Sequence, residues 1–309
     1  MANIGYMQLT RLCNQKCRFC SNPEREETIT IKDASSQIDE FASLGYQGII
    51  LTGGEPTLHP KLASIIRYAR KKGLESRIIT NGQITADASY MRSLYSAGLR
   101  LMHVSIHSCR PKVRAALTEN RDSLPNILRT LKNAEKLGIN VIINTVINAY
   151  NSDHLDENAQ WIVSHFPRVK HFVWNYIDPT MNRASQNPDT LPNLVDMELP
   201  LLRAMRFLDQ GGRTFRVERV PLCFMTEFAH CSTETRKIVK GEERYVRFLD
   251  ERGVVRQTQF EYGKKEMCLQ CFLCGICAGL YEMDTYYSPE PLHAVFVDRE
   301  AIVAKIMGE

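Results

Sequence analysis

Near the start of the chain, three cysteines fall in the spacing Cys13-x3-Cys17-x2-Cys20, and a Gly53-Gly54-Glu55-Pro56 turn follows at the end of an apolar run. Three thiolates suffice for three irons of a 4Fe–4S cluster, whose last iron would normally take a fourth nearby cysteine. The next thiol in sequence is Cys109. The spacing therefore points to a cluster with one iron open to a ligand that is not protein, able to act on that ligand as well as pass electrons. A zinc knuckle competes for the same triad, because Cys-x2-Cys pairs are common zinc ligands. A second constellation lies in the last third: Cys223, Cys231, Cys268, Cys271, Cys274 and Cys277. Its Cys-x2-Cys-x2-Cys-x2-Cys run could wrap a cluster as in a ferredoxin-like loop, and four thiols suit tetrahedral zinc equally well.

Short apolar runs at 6–10, 48–52, 76–80, 100–106, 140–147 and 170–177 alternate with stretches of helical apolar spacing at 31–44, 60–72, 86–97, 123–137, 153–166 and 196–208. That alternation predicts βα units around a parallel sheet, and six units make an incomplete barrel with a lateral opening. Sites of parallel barrels gather at the C-terminal ends of the strands, so the residues there carry the weight. Gly53 and Gly54 permit a tight turn that exposes peptide groups to a ligand, with Glu55 closing it. Asn81 sits in a Thr80-Asn81-Gly82 turn, Ser105 and His107 end the fourth strand, and Asn144 lies in the fifth. Trp174 and Tyr176 end the sixth and read as core aromatics that could pack on a ring. The stretch 178–192 reads as a long loop. The alternation stops after Val220, so a boundary there divides a barrel, 1–220, from a small C-terminal domain, 221–309.

The 39 basic and 35 acidic residues leave a net charge of +4 without a long run of one sign. This predicts no nucleic-acid or membrane partner. No basic-then-apolar export signal opens the chain, and no apolar run approaches membrane-spanning length. Ten cysteines in such a chain read as metal ligands in a reducing compartment, and cytoplasm is the expected location.

With Phe19 in the aromatic slot of Cys-x3-Cys-x-aromatic-Cys and a Gly-Gly-Glu turn at a strand end, the chain resembles the radical S-adenosylmethionine (radical SAM) enzymes from about Tyr6 to Val220. The resemblance implies an open (βα)6 barrel. It also implies that the open iron held by Cys13, Cys17 and Cys20 chelates the amino and carboxylate groups of SAM. An electron from the cluster then splits SAM, giving a 5′-deoxyadenosyl radical that abstracts hydrogen from a substrate. It implies SAM contacts for Gly53, Gly54, Glu55, Asn81, Ser105 and Asn144, and an electron donor such as flavodoxin or ferredoxin. Cys223 with Cys268, Cys271 and Cys277 follows the Cys-x2-Cys-x5-Cys spacing of the auxiliary extensions called SPASM and Twitch. On that likeness a second 4Fe–4S cluster is expected, in a single-cluster, Twitch-like unit that leaves Cys231 and Cys274 unassigned. Cys109, just past the fourth strand, is a candidate hydrogen-atom donor, with a buried bystander as the plainer reading. Such extensions recur in peptide and protein modifiers of the family, so a maturase making a crosslink, epimerisation or related change is expected. The chain's start, without a peptide-recognition domain, counts the other way. The alternatives are an enzyme of small-molecule or cofactor biosynthesis and a non-catalytic iron–sulfur or zinc scaffold.

Overall fold

The computed structural model describes residues 4–308. Met1 to Asn3, which the reading of an absent export signal included, and Glu309 lie outside the described residues. Strands β1 (Ile4–Thr10), β2 (Gly48–Gly53), β3 (Glu75–Thr80), β4 (Leu101–Ser105), β5 (Asn140–Ile147), β6 (His171–Tyr176) and β7 (Thr214–Glu218) are joined by helical crossovers. The crossover helices are α1 (Ile31–Ser43), α2 (Leu62–Lys71), α3 (Ala88–Ala97), α4 (Pro111–Thr118), α5 (Ser123–Leu137), α6 (Leu155–His165), α7 (Asn182–Gln186) and α8 (Leu194–Gln210). Beyond them come α9 (Thr233–Lys240), the hairpin β8 (Arg244–Arg247) and β9 (Val254–Gln257), and α10 (Arg299–Gly308).

The nine strands among the described residues form one sheet in the order β7-β6-β5-β4-β3-β2-β1-β8-β9. β1 to β7 pair in parallel, β8 joins β1 in parallel, and only β8–β9 is antiparallel. The fold is the expected α/β partial barrel. The six anticipated strands and six anticipated helical stretches are all present, because each carries an apolar face at the right period. Met7 and Leu9, Ile78, Met102 and Val104 point outward and are fully buried under the crossover helices. The alternate positions Tyr6, Gln8, Arg77, His103, Ser105, Asn144, Asn175 and Glu218 are only half-buried and face the lumen.

Three features depart from the expectation. A seventh parallel strand, β7, extends the sheet beyond six. Helix α7 and a 3-10 turn, Pro188–Thr190, structure the stretch expected as a loop. The hairpin β8–β9, from the segment placed after the barrel, pairs with β1, Tyr6 opposite Val246. Helix starts use local acceptors, Thr30 capping Asp33 N–H and Asp87 capping Tyr90 N–H, which satisfies backbone donors that have no partner inside the helix.

Candidate active site at the barrel mouth

The two motifs of the first fifty-odd residues are hydrogen-bonded to each other. Past the end of β1, the Thr10 and Leu12 carbonyls accept from Gly54 N–H and Glu55 N–H, each at 2.7 Å. The approach leaves no room for a side chain: a Cβ on Gly54 would lie 2.2 Å from the Leu12 carbonyl oxygen, and one on Gly53, at φ +136°, 2.1 Å from that of Thr10. Only glycine fits. Because these peptide N–H groups are already occupied, the turn presents carbonyl oxygens, which match a cationic ammonium rather than an anion.

Glu55 is turned inward and 1% exposed. One carboxylate oxygen accepts from Thr57 N–H (3.1 Å), the Thr57 hydroxyl (2.6 Å) and the Thr80 hydroxyl (2.7 Å), and the other from Asn81 N–H (2.7 Å). Burial raises its pKa, opposed by these donors. Glu55 thus ties the glycine turn to the end of β3. Asn81, beyond that tie, reaches the cysteine loop, its amide 3.8 Å from Cys13 Sγ and 2.7 Å from Asn14 Oδ1.

Burial is the main cause of raised pKa values at Cys13 and Cys17, and the neighbouring thiols add to it, Cys20 at Cys13 and both Cys20 and Cys13 at Cys17. Cys13 is pushed up to about 11 and Cys17 further still. Three desolvated thiols facing one another are costly as anions, and a positively charged metal group is what offsets that cost. Asn22 N–H donates to Cys20 Sγ at 3.4 Å, the type of contact that tunes a cluster. Two arginines add positive charge. Arg114, 1% exposed, donates to Ser123 Oγ (2.9 Å) and the Ser105 carbonyl (2.9 Å) while acting on Cys17. Arg183, on α7, donates to the Cys17 carbonyl (3.1 Å) and pairs with Glu24. The loop is electrostatically prepared for a thiolate-bound metal group.

Ser105 and Asn144 both face the lumen, and the Asn144 amide oxygen takes a 2.5 Å hydrogen bond from Asn175. His107 is structural. Its Nδ1 accepts from Val146 N–H (3.1 Å), its ring meets Phe19 edge-on (4.6 Å), and burial drives its pKa far down. Trp174 packs against Phe172 and Phe215 in the core. Cys109 follows β4, but its thiol donates to Glu157 of α6 at 3.6 Å, and burial with Glu157 pushes it up to about 11. It lines neither cavity beside the cysteine loop.

At the other end of the chain, Cys223, Cys268, Cys271, Cys274 and Cys277 line one narrow cavity with Lys264 and His293. Burial first, then Cys277 and Cys268, raise the pKa of Cys223, and burial with a smaller effect of Cys271 raises that of Cys277. Gly279 N–H donates to Cys277 Sγ (3.4 Å) and Val295 N–H to Cys271 Sγ (3.3 Å). Gly279 sits at φ +96°, and a Cβ there would also meet the Gly263 carbonyl at 2.4 Å. Among the described residues no three His, Cys, Asp or Glu groups close on a single-ion site. Cys231 is buried and does not line this cavity.

Sequence spacing did not find Arg114, Arg183 or the arginines of the barrel mouth. They carry no motif, and only the fold brings them near the cysteines.

The family model described as the radical SAM superfamily matches residues 7–162. The chain is 30% identical over 165 residues to a GTP 3′,8-cyclase of Aquifex aeolicus, covering 50% of this chain and 51% of that protein. It is 25% identical over 216 residues to a PqqA peptide cyclase of Methylorubrum populi, covering 66% and 54%. The chain thus spans about half the length, or less, of the curated relatives first matched. Among solved structures, native anSMEcpe with bound AdoMet and Kp18Cys peptide superposes with a TM-score of 0.67 at 12% identity, covering 99% of this chain and 95% of that one. SuiB of Streptococcus suis bound to S-adenosylmethionine gives 0.67 at 15%, covering 91% and 73%. At these identities the likeness is one of fold.

Proposed function

The chain belongs to the radical SAM superfamily, and on that premise we propose that it is an enzyme that cleaves SAM reductively and abstracts hydrogen from a peptide or protein side chain. Cys13, Cys17 and Cys20 would hold three irons of a 4Fe–4S cluster. The observation that carries this is the direct hydrogen bonding of the Gly-Gly-Glu turn to the same loop. When bound, such a cluster would supply the one electron needed to split SAM into methionine and a 5′-deoxyadenosyl radical able to take a hydrogen atom from the substrate. The chain's own residues hold the parts in register. The turn's carbonyls suit the methionine ammonium, Glu55 and Asn81 lock the turn, and Ser105 and Asn144 offer polar groups beside the ligand. Arg114 and Arg183 offset the thiolates' charge.

For residues 221–309 we propose a Twitch-like auxiliary unit with a second 4Fe–4S cluster on Cys223, Cys268, Cys271 and Cys277. Their shared cavity and N–H···S contacts support it. The unit is anchored to the barrel through β8. If all four irons are held by cysteine, the cluster relays electrons, supplied by a donor such as flavodoxin or ferredoxin. A peptide substrate is favoured by the PqqA peptide cyclase relative and by the peptide named with one of the similar structures. A small-molecule substrate is the second reading, favoured by the GTP 3′,8-cyclase relative.

The test is iron and acid-labile sulfide per chain under anaerobiosis, for the native sequence and a combined Cys13→Ala, Cys17→Ala, Cys20→Ala variant. About eight irons falling to about four supports both clusters. About four falling to none, with zinc bound, removes the second cluster and the electron relay.

A further inference from the structure

Alongside the cysteine loop lies a larger cavity at the lateral opening of the barrel. Arg219, just past the end of β7, and the hairpin β8–β9 added to β1 both supply lining residues. Four of its lining residues are arginines, Arg11, Arg219, Arg244 and Arg252, against one carboxylate, Asp178. The cavity also reaches Thr52, Gly53 and Asn22, so it is continuous with the glycine turn and the cysteine loop.

The arginines are held in place by aromatic rings and by carboxylates that lie mostly behind the lining. Asp250 takes Arg11 at 2.5 Å and Arg252 at 2.7 Å, one carboxylate between two guanidiniums. Arg252 lies flat on Phe248, 3.9 Å from the ring centre. Arg244 lies over Tyr6 at 4.7 Å beside Glu218, and its Nε has no hydrogen-bond partner among the described residues. Arg219 donates to the Tyr176 carbonyl at 3.0 Å and lies over Tyr281. Its backbone is left-handed, φ +62°, an uncommon conformation for a non-glycine residue. The buried Glu234 accepts from Arg219 N–H at 3.1 Å and holds that conformation.

We infer that this cavity is the substrate site, and that Arg219, Arg244 and Arg252 hold an oxyanion of the substrate, a carboxylate or a phosphate. The inference rests on the function proposed above and specifies its substrate class. On that reading SAM would be held at the cysteine loop, which leaves the arginines past the end of β7 and on the hairpin for a second anion. Guanidinium forks stacked on aromatic rings are preorganised for bidentate recognition of this kind. An anion anchored there directs the rest of the substrate toward Gly53, where SAM is placed. For a peptide, the anchor is an acidic side chain.

The test uses the reconstituted holoenzyme with SAM present and three probes: N-acetyl-glutamate α-amide, its neutral twin N-acetyl-glutamine α-amide, and N-acetyl-phosphoserine amide. Binding is read by ligand-observed NMR. One or both anionic probes bind and the neutral twin does not, and the difference between the two separates carboxylate from phosphate. Arg244→Gln and Arg219→Gln weaken the anion by about ten- to a hundredfold, the loss of one charge-assisted bond, and Arg244→Lys recovers part of it. Arg206→Gln, on an exposed helix face, is the control. Equal binding of the neutral twin, or no change in either variant, overturns the inference. So does a matching fall in SAM affinity, which would assign the arginines to SAM. Loss of SAM binding and cleavage in the native protein refutes the proposed function instead, and the probes still report on the cavity.

Discussion

Glu55→Gln isolates the tie between the glycine turn and β3. The carboxylate accepts from four donors, three on one oxygen and Asn81 N–H on the other. In the variant the amide oxygen can keep the first three, and its NH2 then faces the Asn81 donor. One charge-assisted bond is lost and a backbone N–H is left without its acceptor, a cost of about 2–4 kcal/mol, reduced to the extent that an uncharged group is cheaper to bury. With an unfolding entropy of about 2.1 cal/mol/K per residue, 309 residues give about 0.65 kcal/mol/K, so the melting temperature falls by about 3–6 °C. The assay is anaerobic thermal unfolding paired with SAM titration. SAM affinity falls too, because Asn81 touches Cys13 and Asn14. Thr80→Val removes a single donor and gives a smaller drop. A Glu55→Gln protein that melts within 1 °C of native would refute the tie.

Gly54→Ala drives a methyl into the Leu12 and Arg11 carbonyls and displaces the cysteine loop; iron analysis then shows about four irons fewer per chain, and an unchanged count refutes the coupling of the two motifs. Cys109→Ala leaves both SAM cleavage and product formation unchanged, because the thiol is engaged by Glu157; loss of product with cleavage intact would reinstate Cys109 as hydrogen donor. His103 has its pKa lowered to about 4, first by burial, then by Arg77 and His171. The folded state holds the ring neutral while the unfolded chain protonates near pH 6.5, so its contribution is present above 6.5 and lost as pH falls toward 4. Between pH 7 and 5 the native protein loses roughly 2 kcal/mol more than His103→Gln, read from urea midpoints; parallel losses refute it.

The six strands and six helical stretches were legible because each reports its own buried face through period two or period 3.6. So were the Cys13-Cys17-Cys20 triad and the glycine turn, whose residue types are dictated by chemistry at fixed spacing. β7, with its short half-exposed run Thr214–Glu218, and the hairpin β8–β9 escaped notice. Their apolar faces are brief and their place is set by pairing with partners distant in sequence.

The amino-acid order by itself determined the chemistry, thiols spaced for an open-iron cluster and a turn only glycine can make. Tertiary structure alone decided the surroundings. It drew Cys223 to the thiols at 268–277, aimed Glu55 inward and Cys109 toward Glu157, and gathered Arg11, Arg219, Arg244 and Arg252 around one cavity. The physical reason is that a charge or a thiol has no sequence period of its own. Its partners are whichever groups the packed apolar faces happen to bring within reach.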